Sequence, residues 1–173
     1  SYNDGRSYRP GGFGGFSFFP PVIKNLLIIN GIMFFISIIA SNVVIGGVLL
    51  NNLITKYLGL IPFGNPQMSF YPWQLITYQF LHGDFTHIFF NMLMLWMFGM
   101  EIENIMGSRK FLVFYLLAGI GGGLLQLVVG SGLGPIIGAS GAVYGVMVAF
   151  AMFFPDRMIY IWFLLPVKAK YLI

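Results

Sequence analysis

Two groups of polar residues interrupt an otherwise apolar chain, and both are of types that do chemistry. The first is His82-Gly83-Asp84-Phe85-Thr86-His87-Ile88-Phe89-Phe90-Asn91, which holds both histidines of the chain. His87 and Asn91 are four residues apart and so share one helix face, with His82 at the rim before that helix settles. The second is Gly138-Ala139-Ser140-Gly141-Ala142-Val143-Tyr144-Gly145, where a single serine stands among small residues, flanked by Gly138 and Gly141. A serine hydroxyl becomes a nucleophile when a nearby base takes its proton. An asparagine amide and an imidazole N–H are donors suited to a developing oxyanion. Gly130 to Pro135 breaks any helix just ahead of Ser140. The serine is thereby expected at a helix start, where backbone N–H groups are unpaired and carry partial positive charge.

Each group also has a plainer reading. Histidines in a membrane serve as interhelical hydrogen bonders, and Ser140 taken alone is a small residue at a helix start. The Gly-x-Ser pattern lacks the second glycine of a Gly-x-Ser-x-Gly hydrolase elbow, because Ala142 stands there. A metal is not expected: His82 and His87, five apart, chelate poorly from a helix, and a third ligand would have to be Asp84. Polar groups inside a membrane are costly, so two such clusters on different helices are expected to face one shared cavity.

The elements that must position these residues follow from composition. The chain has 173 residues, 58% hydrophobic and 8% charged, against about 25% charged in a soluble domain. It reads as an integral membrane protein with one membrane domain. Without cysteine it has no disulfide and no thiolate chemistry. The net charge of +4 reflects where basic residues sit relative to the membrane and is not a nucleic-acid patch.

Residues 1–21, rich in Gly, Phe, Pro, Tyr and Ser, read as a flexible tail, and 22–173 as the membrane domain. A first span is expected from Leu26 to about Leu50, too long an apolar run for a signal peptide. From Asn51 to Leu81 the chain is apolar but broken by Pro62, Pro66 and Pro72. Its Tyr57, Tyr71 and Trp73 suit a segment lying in the membrane interface. A second span runs from Phe85 to about Met100, with Glu101, Glu103, Arg109 and Lys110 marking a water-facing loop. The run from Phe111 to Pro155 carries no Asp, Glu, Lys or Arg and is long enough for two spans of about 20 residues, Phe111 to Val129 and Ser140 to Phe154. Met158 to Pro166 reads as a short link, and Val167 to Tyr171 as the foot of a fifth span cut off at Ile173.

If these spans alternate, Arg6, Arg9, Lys24, Arg109, Lys110, Arg157, Lys168 and Lys170 fall on one side and only Lys56 on the other. The positive-inside rule makes the first side cytoplasmic, N-terminus included, with Ser131 and the turn before Ser140 facing outward. Gly119/Gly123 and Gly141/Gly145 are small-xxx-small pairs that let helices approach closely in lipid.

These motifs, in this order and on these spans, resemble the rhomboid intramembrane serine proteases. The matching pieces are His82-x-x-x-x-His87-x-x-x-Asn91, Gly99 through Glu103 to Gly107, and Gly138 to Gly145, and the resemblance runs from about Leu26 to the end. It implies an all-α polytopic bundle with Ser140 as catalytic nucleophile. It also implies an oxyanion pocket made by His87, Asn91 and the Ser140 N–H. Tyr144 would pack against the catalytic histidine, and Glu103 would be structural at the cytoplasmic end of the second helix. The stretch 51–81 resembles the family's first loop, which lies partly in the outer leaflet. Two departures stand out. The loop's frequent Trp-Arg is here Trp73-Gln74, and no histidine follows His87, although the family's general base lies on its sixth span.

The expectation is therefore the incomplete membrane domain of a protease that cuts transmembrane protein substrates near the outer leaflet of a bacterial inner membrane, without metal or cofactor and without nucleic-acid partners. The competing expectation is an inactive rhomboid-like protein that binds or escorts membrane helices. A small transporter or channel ranks last, because no charged residue lies mid-span.

Overall fold

A computed structural model of the chain describes residues 16–130, 132–161 and 165–172. Helix α1 (Pro21–Ala40) starts with Pro20 as N-cap and proline at its first position, where the missing N–H costs nothing and φ is already helical. It ends well before the expected Leu50. Ser41 Oγ donates to Ser37 O and Asn42 Nδ2 to Ile38 O, so side chains satisfy the last carbonyls. Strands β1 (Val44–Ile45) and β2 (Val48–Leu49) then form a two-residue antiparallel ladder. Gly46 and Gly47, with φ of +59° and +82°, make the turn that such a hairpin requires.

The stretch expected to be broken and interfacial holds α2 (Leu50–Leu58), α3 (Gln74–Thr77) and a single 3-10 turn at Tyr78–Phe80. Helix α2 sets Leu50, Leu53, Ile54 and Tyr57 against Asn51, Asn52 and Lys56, the pattern of a helix lying in an interface. Leu60 and Ile136 exchange backbone bonds of 2.9 and 2.8 Å, tying this stretch to the turn ahead of the serine.

Helix α4 (Phe85–Met106) and helix α5 (Ser108–Val129) have 22 residues each. With α1 they are the three described helices long and apolar enough to cross a membrane. The water-facing loop expected between them is a single residue, Gly107, with φ of +79°. Glu101 and Glu103 belong to α4, and Glu103 is buried. Its carboxylate accepts from the N–H groups of Val22 and Ile23 at 2.9 and 2.8 Å and from Ser108 Oγ at 2.6 Å. Charge alone points such a residue to water, whereas here two orphan donors of α1 hold it inside.

Helix α6 (Ser140–Phe153) has only 14 residues, about 21 Å at 1.5 Å per residue. It packs against α4 and α5 around Leu95, Phe98, Ile102, Tyr115, Val146 and Phe150. The close approach of α5 and α6 is at Gly122 and Gly141, where a Cβ on Gly122 would lie 2.9 Å from the Gly141 Cα, and at Gly145 against Ala118. The Gly119–Gly123 pair does not serve it. Those two face Gln79, Leu60 and Tyr78 of the interfacial stretch.

Of Met158 to Pro166, expected as a link, the described residues lie in β3 (Met158–Ile161) and β4 (Leu165–Lys168), which pair antiparallel, and 162–164 lie outside the described residues. Val167 to Tyr171, expected as the foot of a span, is divided between β4 and the short α7 (Ala169–Leu172). Residues 1–15 of the expected tail lie outside the described residues, as does Ser131. Residues 16–20 are pinned to α4: Ser17 and Asn104 exchange two bonds, and Trp96 Nε1 donates to Phe18 O.

Candidate active site

Asp84 opens α4 by accepting the His87 N–H at 2.8 Å, an ordinary N-cap. That cap sets His87 in the first turn and Asn91 one turn on, both on the face toward α6. Gly138, with φ of +121°, turns the chain into α6 while its N–H donates to Tyr78 O at 2.9 Å. Ser140 is then the first residue of α6 and Tyr144 lies one turn further. One open pocket of about 530 Å³ is lined by His87, Asn91, Ser140 and Tyr144 together with Asp84 and Thr86. The two polar clusters, about fifty residues apart in sequence, thus share one cavity.

Asn91 is buried. Its Nδ2 donates to His87 O at 2.9 Å, and a primary amide has a second hydrogen to offer. The first intrahelical bond of α6 runs from Val143 N to Ala139 O, so the N–H groups of Ser140, Gly141 and Ala142 have no intrahelical partner. Ser140 is exposed to the pocket. An acyl carbon beside its Oγ would meet the start of α6 on one side and Asn91 and His87 on the other.

His82 lies outside this pocket. It is buried, with its ring edge-on to His87 at 5.0 Å between centroids. Burial, and secondarily the neighbouring His87, pushes its imidazole down to about 4. It is therefore neutral near pH 7 and backs the His87 ring. Asp84, considered as a third metal ligand, is occupied as the cap. Among the described residues no group of three His, Asp or Glu is arranged to hold a metal. Tyr144 is 57% exposed on the pocket wall. Glu103 sits at the far end of α4, where it caps α1.

Two residues that position the site escape a reading of motifs alone. Tyr78 holds the Gly138 N–H through its carbonyl, and its hydroxyl donates to Gly119 O at 2.6 Å. It thereby joins α5 to the turn before Ser140. Gln74 is fully buried. It accepts from Ile61 N and Tyr71 N and donates to Lys56 O. Its place beside Trp73, in an apolar stretch, is the only local signal.

Comparison with known proteins gives a consistent picture. The family model described as "Rhomboid domain" matches residues 69–173. "Rhomboid protease GluP" of Bacillus subtilis is 39% identical over 90 residues, which is 50% of this chain and 17% of that protein. "Rhomboid protein 1, mitochondrial" of Saccharomyces cerevisiae is 36% identical over 98 residues, 54% of this chain and 28% of that protein. "Putative rhomboid protease YdcA" of Bacillus subtilis is 37% identical over 73 residues, 42% of this chain and 37% of that protein. The chain thus spans well under half the length of the curated relatives it matches.

Proposed function

The chain belongs to the rhomboid family, and on that premise we propose that it carries the nucleophile and oxyanion pocket of an intramembrane serine endopeptidase. The observation that carries this reading is the single cavity shared by Ser140, His87 and Asn91. In it Ser140 Oγ attacks a scissile carbonyl. The Ser140 N–H, the Asn91 amide and the His87 ring receive the oxyanion, and each donor of this kind is worth about 3 kcal/mol in the transition state. Ser140 needs a base for its proton. The family resemblance assigns that role to a histidine on a later span, and no histidine follows His87 in these 173 residues. The base is therefore assigned to a histidine beyond them.

The protein is an integral membrane protein. The arrangement of charge supports a cytoplasmic N-terminus. The Glu103 bonds put Lys24 at the same end as Arg109 and Lys110, and Arg157 pairs with Glu101 at 3.3 Å. Lys56 stands apart at the end nearer Ser140. Helix α6, about 21 Å long, is shorter than the ~30 Å apolar core of a bilayer. With its Phe153 end near the basic face, Ser140 is recessed below the outer surface, within reach of the end of a substrate helix. Transmembrane protein substrates fit that depth. The host membrane is proposed to be a bacterial inner membrane, although one relative above carries a mitochondrial name.

The test is cleavage of a single-span model substrate in proteoliposomes by the full-length protein and by Ser140→Ala. Loss of cleavage in the variant is expected, and undiminished cleavage would reject the assignment. The competing reading is a rhomboid-like protein that binds membrane helices without cutting them. That reading predicts substrate binding with no cleavage by the unaltered protein.

A further inference from the structure

Asp84 stands on the wall of the Ser140 pocket with half of its carboxylate unused. Its Oδ1 accepts the His87 N–H at 2.8 Å, and Oδ2 makes no hydrogen bond or ion pair to another described residue. A capping bond takes one lone pair of a carboxylate that has about four. The side chain is exposed and shares the pocket with His87, Asn91 and Ser140. The other described carboxylates are engaged, and all lie at the opposite end of the helices. Glu103 accepts from Val22, Ile23 and Ser108, Glu101 pairs with Arg157, and Asp156 pairs with Lys168 and Lys170.

Nothing in the pocket matches that charge. Its lining has no lysine or arginine. Lys56, the described cation at the Asp84 end, stands over the Tyr57 ring at 5.6 Å. Much of the remaining wall is apolar, from Phe90, Met94, Val143 and Met147. A carboxylate against such a wall attracts a cation more strongly than one in open water. A charge-assisted hydrogen bond there is roughly twice as strong as a neutral one. Arginine suits the place best. Its fork matches a carboxylate, its plane is weakly hydrated and stacks on rings, and its stem covers apolar surface. Phe90, 46% exposed, offers such a ring.

The position along α4 fixes where the cation belongs. Asp84 precedes His87 and Asn91 and so stands ~5–10 Å beyond these donors, away from Glu103, at 1.5 Å per residue. An extended peptide advances about 3.3 Å per residue, which makes this one to three residues from a scissile bond held at the donors. We propose that Asp84 selects substrates that carry a basic residue, arginine above all, one to three residues from the scissile bond on its outer side. This rests on the serine-protease reading and names the substrate class for it: membrane proteins whose cleaved segment bears a cation just outside the cut. Near the end of a substrate helix such a cation snorkels to water before it is bound. An aspartate or glutamate at the same place would face Asp84 and be disfavoured.

The experiment gives full-length protein in proteoliposomes a set of single-span substrates that differ only in one residue on the outer side of the scissile bond, arginine, glutamine or glutamate. The unaltered protein should show kcat/KM about tenfold higher for arginine than for glutamine, and lower again for glutamate. Arginine moved to the inner side of the bond should confer no advantage. Asp84→Asn and Asp84→Ser both retain a capping side chain and remove the charge. In each the arginine-to-glutamine ratio should fall to within about twofold of one, and a ratio cancels any loss common to all substrates. A ratio near one in the unaltered protein would overturn the proposal. So would an equal advantage for inner arginine, or a tenfold ratio that survives in both variants. Cleavage of no substrate, or equal cleavage by Ser140→Ala, removes the protease reading and the proposal with it. Cleavage that depends on Ser140 but shows no preference overturns the proposal alone.

Discussion

The His87 ring lies against the backbone of Gly138. A Cβ placed on that glycine would come within 2.6 Å of Nε2 and 2.7 Å of Cε1. The contact joins the start of α4 to the turn that delivers Ser140, so the glycine sets how close donor and nucleophile stand. On its other side the ring is backed by His82, which removes the room to retreat. Gly138 is also held at φ of +121°, a conformation that L side chains rarely adopt. Gly138→Ala should therefore displace the imidazole and lower turnover on the order of 10²-fold, the scale of a misplaced catalytic group. Turnover measured beside thermal stability would show activity falling further than folding.

Glu103 makes a different prediction, at the opposite end of α4. Its two oxygens satisfy the N–H groups of Val22 and Ile23 as well as Ser108 Oγ. Glu103→Ala strands those donors in a buried place and should cost about 1–3 kcal/mol, read as an earlier unfolding midpoint in detergent titration. Glu103→Gln, which keeps one accepting oxygen, should lose less. Fluorophosphonate labelling of Ser140 in folded variants should be unaffected.

Gln74 allows a sharper test, because the family resemblance points the other way. Related loops often carry arginine after the tryptophan. Here the side-chain oxygen accepts from Ile61 N at 3.3 Å and Tyr71 N at 3.0 Å, while Nε2 donates to Lys56 O at 3.0 Å. Arginine has no acceptor. Gln74→Arg should therefore fail to substitute, and both Gln74→Arg and Gln74→Ala should speed amide hydrogen exchange at Ile61 and Tyr71. Protection retained in the arginine variant would contradict this account of the loop.

Acid should weaken the fold through His82. Its folded value is pushed down to about 4 from an ordinary 6.5. Between those values the unfolded chain binds a proton that the native state refuses. Stability from this group is thus complete above pH 6.5 and falls as pH drops toward 4. The melting temperature of His82→Gln should decline less across that window than that of the unaltered protein, and parallel declines would show that His82 is not the group responsible.

The site is legible where chemistry and period coincide. His87 and Asn91 sit at helical spacing and Ser140 follows a Gly/Pro break, so their convergence needs only the packing of α4 on α6. Element ends are harder to read. Hydropathy makes no distinction between a helix and the apolar hairpin after Ala40, so the first span reads as far as Leu50. Gly46-Gly47 is the clue that outweighs it. Glu103 reads as water-facing because its partners, Val22 and Ile23, lie some eighty residues earlier, beyond any local pattern. The Gly119–Gly123 pair misleads for a related reason: small residues admit any close neighbour, and the neighbour here is Tyr78 with Gln79.

Gly107 has one more consequence. With a lone residue between them, α4 and α5 have no slack in which to slide or splay, and they behave as one stiff fork. The prongs that carry His87 and Asn91, and the glycine face beneath Tyr78, keep a constant spacing. Whatever breathing admits a bulky polypeptide to Ser140 then comes from outside the α4–α5 pair, and a cross-link across the tips of the fork should leave turnover intact.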